Sequence, residues 1–217
     1  MTPDLVIFDC DGVLVDSEPP FNEVLAANLA RYGLSMTLPD VMATFIGSSM
    51  TSVVQKARDL GASYPGTDNQ WIDEIYEEGY ARLRQGVDLI PGITNVLDAL
   101  DGNAIPFCVA TNGSQAKMDI TLGGTGLAPR FDGKRFSAHE LGVAKPDPDL
   151  FLIAAREMGV TPDRAVVIED SPSGALAAKR AGMPCFGYAP EGGGKLAEQG
   201  AHVFRDMADL PALLHLK

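Results

Sequence analysis

The sequence predicts an α/β protein: a parallel sheet covered on both faces by helices, with a small all-helical unit inserted after the first strand. Three observations lead there. From Val87 onward, apolar runs of strand length alternate with amphipathic helical stretches, the pattern of strands joined by crossover helices. Residues from about Pro19 to about Gly86 carry helical spacing and no strand signal. Three separate strands end in polar clusters, and open parallel sheets bind ligands beyond the carboxyl ends of their strands.

Leu5-Val6-Ile7-Phe8 is the opening strand, emptying into Asp9-Cys10-Asp11-Gly12. In the inserted segment Phe21, Val24, Leu25, Asn28, Leu29 and Tyr32 recur at helical spacing before Gly33. Val53, Val54, Ala57 and Leu60 repeat the pattern before Gly61, and Trp71, Ile72, Ile75, Tyr76 and Leu83 mark a third helix. A helix near Ile93 to Leu100 then leads to the strand Ile105 to Ala110, which ends in Thr111-Asn112-Gly113-Ser114. A helix with Met118 and Leu122 follows, and a weaker strand is expected near Arg135 to Ala138. Lys145-Pro146-Asp147-Pro148-Asp149 opens the next helix, since proline suits a first helical turn. Ala165 to Ile168 is a clear buried strand running into Glu169-Asp170-Ser171. A helix through Ala175 to Ala181, a strand near Cys185 to Tyr188, a glycine-rich loop, a strand at His202 to Phe204 and a closing helix complete the chain.

The 217 residues suffice for a sizeable core, and the composition is ordinary globular. A net charge of −12 without a Lys/Arg cluster argues against a nucleic-acid groove, though it says little about small anions, whose local field is set by a metal ion and one or two lysines. Cys10, Cys108 and Cys185 fall in or beside apolar runs, with neither disulfide nor metal spacing, and read as small buried hydrophobes in a reducing cytoplasm. No stretch approaches the roughly 18 apolar residues of a membrane span. The expectation is a cytoplasmic protein, monomer or weak homodimer, with no membrane or nucleic-acid partner.

The chemistry begins at Asp9 and Asp11. Alternation along an extended chain points both carboxylates one way and Cys10 the other. Two negative charges at the tip of an apolar strand need compensation, and a hard, oxygen-seeking divalent cation such as magnesium supplies it.

The run Asp9-Cys10-Asp11-Gly12-Val13-Leu14-Val15-Asp16-Ser17-Glu18 resembles the first motif of the haloacid dehalogenase superfamily, in the form used by its phosphatases and phosphomutases. Thr111 with Asn112, Lys145, and Glu169 with Asp170 match the remaining motifs in order, so the resemblance covers nearly the whole chain. It implies a three-layer Rossmann-like core from residues 1–16 and 87–217, with a helical cap over 17–86, close to phosphoglycolate phosphatase and beta-phosphoglucomutase. It also implies a nucleophile, Asp9, and a general acid and base, Asp11. Magnesium would be held by Asp9, the Asp11 carbonyl and Asp170. Glu169 could bind the metal directly, through water, or only orient a ligand. Thr111, Asn112 and Lys145 would hold the phosphoryl oxygens. Substrate-specificity positions implied in the cap are Glu18, Phe21 and Asn22, with Gly47 and Ser48 from a second loop.

The expected function is a magnesium-dependent phosphatase acting on a small phosphorylated sugar or sugar acid through an aspartyl-phosphate. The alternative is a hexose phosphate mutase like beta-phosphoglucomutase, which would want a cation for a distal phosphate where Ile46 to Met50 offers none. A silent binding module on the same fold is a third reading, disfavoured by the intact acids and lysine. Gly192-Gly193-Gly194-Lys195 lacks P-loop spacing, and His139, His202 and His215 have no ligand spacing. Lys117 could reach substrate from the helix after Thr111-Asn112, but a solvated helix face is the favoured reading.

Overall fold

The structure, a computed structural model, describes residues 2–45 and 49–216. It divides into two compact units, one of Met1–Asp16 with Asp88–Lys217 and the other Ser17–Val87.

In the first unit, β1 (Leu5–Phe8) buries all four of its residues, as a strand covered on both faces must. A tight turn follows, in which Leu14 and Val15 donate backbone N–H groups to the Cys10 carbonyl, before the two-residue β2 (Val15–Asp16). In the second unit lie α1 (Glu18–Arg31), α2 (Leu38–Phe45), α3 (Met50–Asp59) and α4 (Asp68–Leu83). The chain then returns through β3 (Asp88–Leu89), α5 (Ile93–Gly102), β4 (Phe107–Thr111), α6 (Gln115–Gly124), β5 (Arg135–Ser137), α7 (Ala138–Leu141) and α8 (Asp149–Glu157). Last come β6 (Ala165–Glu169), α9 (Pro172–Arg180), β7 (Cys185–Tyr188), α10 (Gly194–Glu198), β8 (His202–Phe204) and α11 (Leu210–Leu213).

Six strands form one sheet in the order β5-β4-β1-β6-β7-β8, every pairing parallel. The chain winds from β1 outward through β4 to β5, then crosses to β6 on the other side of β1. The reversal places β1 at the switch point, with the ends of β4 and β6 beside its own. Register confirms this: Phe8 lies opposite both Val109 and Ile168. On one face Leu5, Ile7, Cys108, Ala110, Ala165 and Val167 pack with Leu150, Phe151 and Ala154 of α8 and Ala175, Ala177 and Ala178 of α9. An edge-on aromatic chain links Phe8, Phe107 and Phe131, with ring centroids 6.3 Å and 5.3 Å apart. All three cysteines are free and buried, and burial pushes the thiols of Cys108 and Cys185 up to about 12, which makes them inert packing groups.

The helical unit has its own core, built on Leu25, Leu29, Val41, Phe45, Val54, Ala57, Trp71 and Ile75. Tyr64 stacks on Trp71 at 5.3 Å. The indole N–H donates to the Asn28 side chain at 2.7 Å, while Asn28 donates to Glu74 and Glu78, so this buried amide is satisfied on both sides. Helix α2 was absent from the sequence reading, because only Val41 and Phe45 of its eight residues are buried, too few to show a period. No helix among the described residues is long and apolar enough to cross a membrane.

Candidate active site

Three strand ends supply the site. At β1, Asp9 is nearly buried, and its backbone N–H donates to the Ile168 carbonyl at 2.9 Å, which ties the tip of β1 to β6. Cys10 turns away, its Sγ 3.9 Å from Thr121 Oγ1. Gly12 then adopts φ +75°, and a Cβ there would overlap the carboxylate of Asp170. Glycine is therefore required twice over, by a left-handed backbone and by the approach of an acid from another strand.

At β6, Glu169 is fully buried and both of its oxygens have donors. Lys145 Nζ reaches Oε1 at 2.6 Å, while Oε2 accepts from Asp170 N at 3.1 Å, Ser171 N at 2.8 Å and Ser171 Oγ at 2.8 Å. Ser171 also caps α9 by accepting from Gly174 N at 3.0 Å. A Cβ on Gly174 would overlap the Glu169 carboxylate, so the first turn of α9 closes directly over that acid.

Lys145 is the pivot. Its side chain is 2% exposed and bridges Glu169 and Asp9, with Nζ 2.9 Å from Asp9 Oδ1 and 5.1 Å from the centre of the Phe151 ring. Burial alone would push the ammonium down, but the carboxylates of Asp9 and Glu169 outweigh it and hold Lys145 above its ordinary range. Asp9 moves the other way from most paired acids. Burial raises it to about 7 against the pull of Lys145, with Glu169 and Asp11 adding to the rise. Buried Asp9 Oδ1 thus has the Lys145 charge beside it and no hydrogen-bond partner among the described residues.

Oxygens of Asp9, Glu169 and Asp170 lie within 4.8 Å of one another. An all-carboxylate set with an orphaned buried oxygen at Asp9 suits a hard divalent cation, and the residues present fit such an ion.

At β4, Thr111 is buried and its Oγ1 accepts from Gly113 N at 3.0 Å. Ser114 caps α6, accepting from Lys117 N at 3.2 Å, and Ser137 Oγ donates to the Gly113 carbonyl at 2.7 Å. The Asn112 side-chain carbonyl accepts from the Lys145 backbone N–H at 2.9 Å. Lys117, read from sequence as a solvated lysine, is instead only 21% exposed at its side chain, and its Nζ lies 2.8 Å from Asp11 Oδ1. A lysine on a helix gives only a weak signal of this kind. Its place three residues after a capping serine that follows a strand end is the one clue the sequence holds.

The structure thus gathers Asp9, Lys145, Glu169 and Asp170 around one buried charge cluster, with Thr111 and Asn112 at the neighbouring strand end and Asp11 held by Lys117. Glu18, Phe21 and Asn22 lie on α1 in the helical unit. There the Asn22 side chain donates to the Glu18 carbonyl at 2.8 Å, and the Phe21 ring occupies the space a Cβ on Gly79 would take. Gly47 and Ser48 lie outside the described residues.

A family profile described as haloacid dehalogenase-like hydrolase matches residues 3–182. Among curated proteins, the 6-phosphogluconate phosphatase of Escherichia coli (strain K12) is 28% identical, over 96% of this chain and 93% of its own. Among solved structures, a conserved haloacid dehalogenase-like protein from Agrobacterium tumefaciens is 34% identical with a TM-score of 0.84, covering 98% of this chain and 97% of that one. A hydrolase of the same kind from Deinococcus radiodurans, solved with bound phosphate and sodium, is 31% identical with a TM-score of 0.83, covering 98% and 95%.

Proposed function

This chain belongs to the haloacid dehalogenase-like hydrolase family, and from that premise we propose that it is a phosphatase of small phosphorylated metabolites, a sugar phosphate or sugar-acid phosphate. The observation that carries the reading is the buried Lys145 set between Asp9 and Glu169, 2.9 Å and 2.6 Å away. A carboxylate nucleophile and a phosphate dianion repel each other, and only fixed positive charge beside both lets them meet.

Asp9 attacks phosphorus through a carboxylate oxygen as the ester P–O bond breaks, giving an aspartyl-phosphate. Asp11 supplies a proton to the leaving alkoxide. It then takes one from the water that cleaves the aspartyl-phosphate, releasing inorganic phosphate and restoring Asp9. Lys145 stabilises the charge that builds on the phosphoryl oxygens. Thr111, with the amides that open α6, holds the others. Asp9, the Asp11 carbonyl and Asp170 would hold magnesium, which when bound neutralises charge on both nucleophile and phosphoryl group. Glu169, whose oxygens already have protein donors, orients Lys145 and the Asp170 loop. The 17–86 segment acts as a cap that selects the substrate through Glu18, Phe21, Asn22, Gly47 and Ser48. The reading is of a cytoplasmic enzyme.

Hydrolysis is favoured over mutase chemistry because Ile46 to Met50 carries no Lys or Arg, and a mutase must hold a bisphosphorylated species at both ends. The test is a panel of phosphorylated metabolites incubated with magnesium, scoring phosphate release against isomer interconversion. Metal-dependent phosphate release is expected, abolished by a chelator and restored by magnesium. Isomerisation without release would support the mutase, and no turnover of any phosphomonoester would support a silent binding module.

A further inference from the structure

Lys145 sits on the connection between α7 and α8, outside the sheet, and what fixes its reach is not its own strand. Among the described residues, one backbone pair joins two residues of that connection, Asp147 N to the Ala144 carbonyl at 2.8 Å. Asp147 Oδ1 accepts from Asp149 N at 3.0 Å, and side chains of other elements add two further tethers. Arg180, at the end of α9, donates to the Pro146 carbonyl at 2.9 Å. Asn112, just beyond β4, accepts from the Lys145 backbone N–H at 2.9 Å.

A lysine ends in a flexible four-carbon stem, so a head group is placed well only when its backbone is placed first. The head of Lys145 is pinned by two carboxylates, and its own backbone N–H is held by the Asn112 side-chain carbonyl. We infer that Asn112 is a positioning residue, which fixes Lys145 through its backbone N–H and so joins the strand end that holds the phosphoryl oxygens to the lysine that neutralises them. The inference rests on the phosphatase reading for its catalytic consequence, although the clamp itself does not. Because its Oδ1 accepts from that backbone donor, loss of the Asn112 side chain removes the partner of the Lys145 N–H and frees the loop to drift.

Two measurements on the full-length chain test this. The first is hydrogen exchange at the Lys145 amide. Exchange is expected to be at least about tenfold faster in Asn112→Ala than in the unaltered protein, and to return to the slow rate in Asn112→Asp, which keeps an acceptor. Exchange unchanged in Asn112→Ala would overturn the clamp.

The second is orthovanadate binding in magnesium, followed by calorimetry in a cycle of Asn112→Ala with Lys145→Met. Asn112→Ala should weaken binding about tenfold when Lys145 is present and less than about twofold in Lys145→Met. An equal loss in both backgrounds would mean that Asn112 touches the ligand on its own account, and no loss in either would mean that the clamp has no bearing on the site. Failure of the unaltered protein to bind orthovanadate would count against the phosphatase reading, and amide exchange would still decide the clamp.

Discussion

Asp9 holds a charge problem in one side chain. Burial raises its carboxyl to about 7, Lys145 works against that rise, and Glu169 and Asp11 add to it. The metal-free protein therefore favours a protonated Asp9 below about pH 7, and its folded state gains stability as pH falls from there towards the ordinary carboxylate value. A cation must displace that proton. Apparent magnesium affinity should rise about tenfold per pH unit below about pH 7 and level off above it, with about one proton released. Calorimetry in buffers of different ionisation heat checks this, and an affinity flat from about pH 5 to pH 8 would contradict it. At this scale the sequence was readable where an acid or a lysine stands at a strand end or helix start, as at Asp9, Lys145 and Asp170. It favoured the wrong reading where a side chain on an ordinary helix face reaches across, as Lys117 does to Asp11 at 2.8 Å.

Among the elements, the β2–β3 ribbon carries an internal conflict. It is antiparallel and two residues long on each side, and its register sets Asp16 directly opposite Asp88. Burial raises the Asp16 carboxyl, and Asp88 raises it further. An acid whose folded value lies above its unfolded one costs stability when ionised. That cost is present at neutral pH, is relieved as pH falls through the folded value, and is gone below the ordinary carboxylate value. Like charges opposed across strands are worth a few tenths of a kcal/mol or so, screened here by exposure. Asp88→Asn should accordingly raise Tm by about 1–2 °C at pH 7 and leave it unchanged near pH 3, followed by thermal melts at both pH values. A lower Tm at neutral pH would show that the pair is not repulsive. Residue periodicity showed neither strand, because two residues carry no alternation. The longer apolar runs Leu5–Phe8 and Ala165–Ile168 were visible because strands buried on both faces are continuously apolar.

For the whole molecule, topology does what no single segment does. Strand order β5-β4-β1-β6-β7-β8 puts β1 between β4 and β6, and so brings residues 9, 111 and 170 to one edge of one sheet although they are far apart in sequence. The α/β class and the parallel sheet followed from strand and helix alternation, and the strand-end acids told which edge matters. Strand order, register and the Asn112, Gly12 and Gly174 contacts did not follow, since each depends on which distant backbone lies alongside.

The account depends on Asp9 accepting phosphorus covalently. Its most direct test is a rapid acid quench of a single turnover in magnesium, with a phosphomonoester that the panel shows to be hydrolysed, followed by mass spectrometry of the peptide spanning residues 5 to 16. One phosphoryl group on Asp9 is expected, absent in an Asp9→Asn variant that melts normally and turns over several decades more slowly. Steady phosphate release with no phosphorylated Asp9, or with Asp9→Asn as active as the unaltered protein, would contradict it.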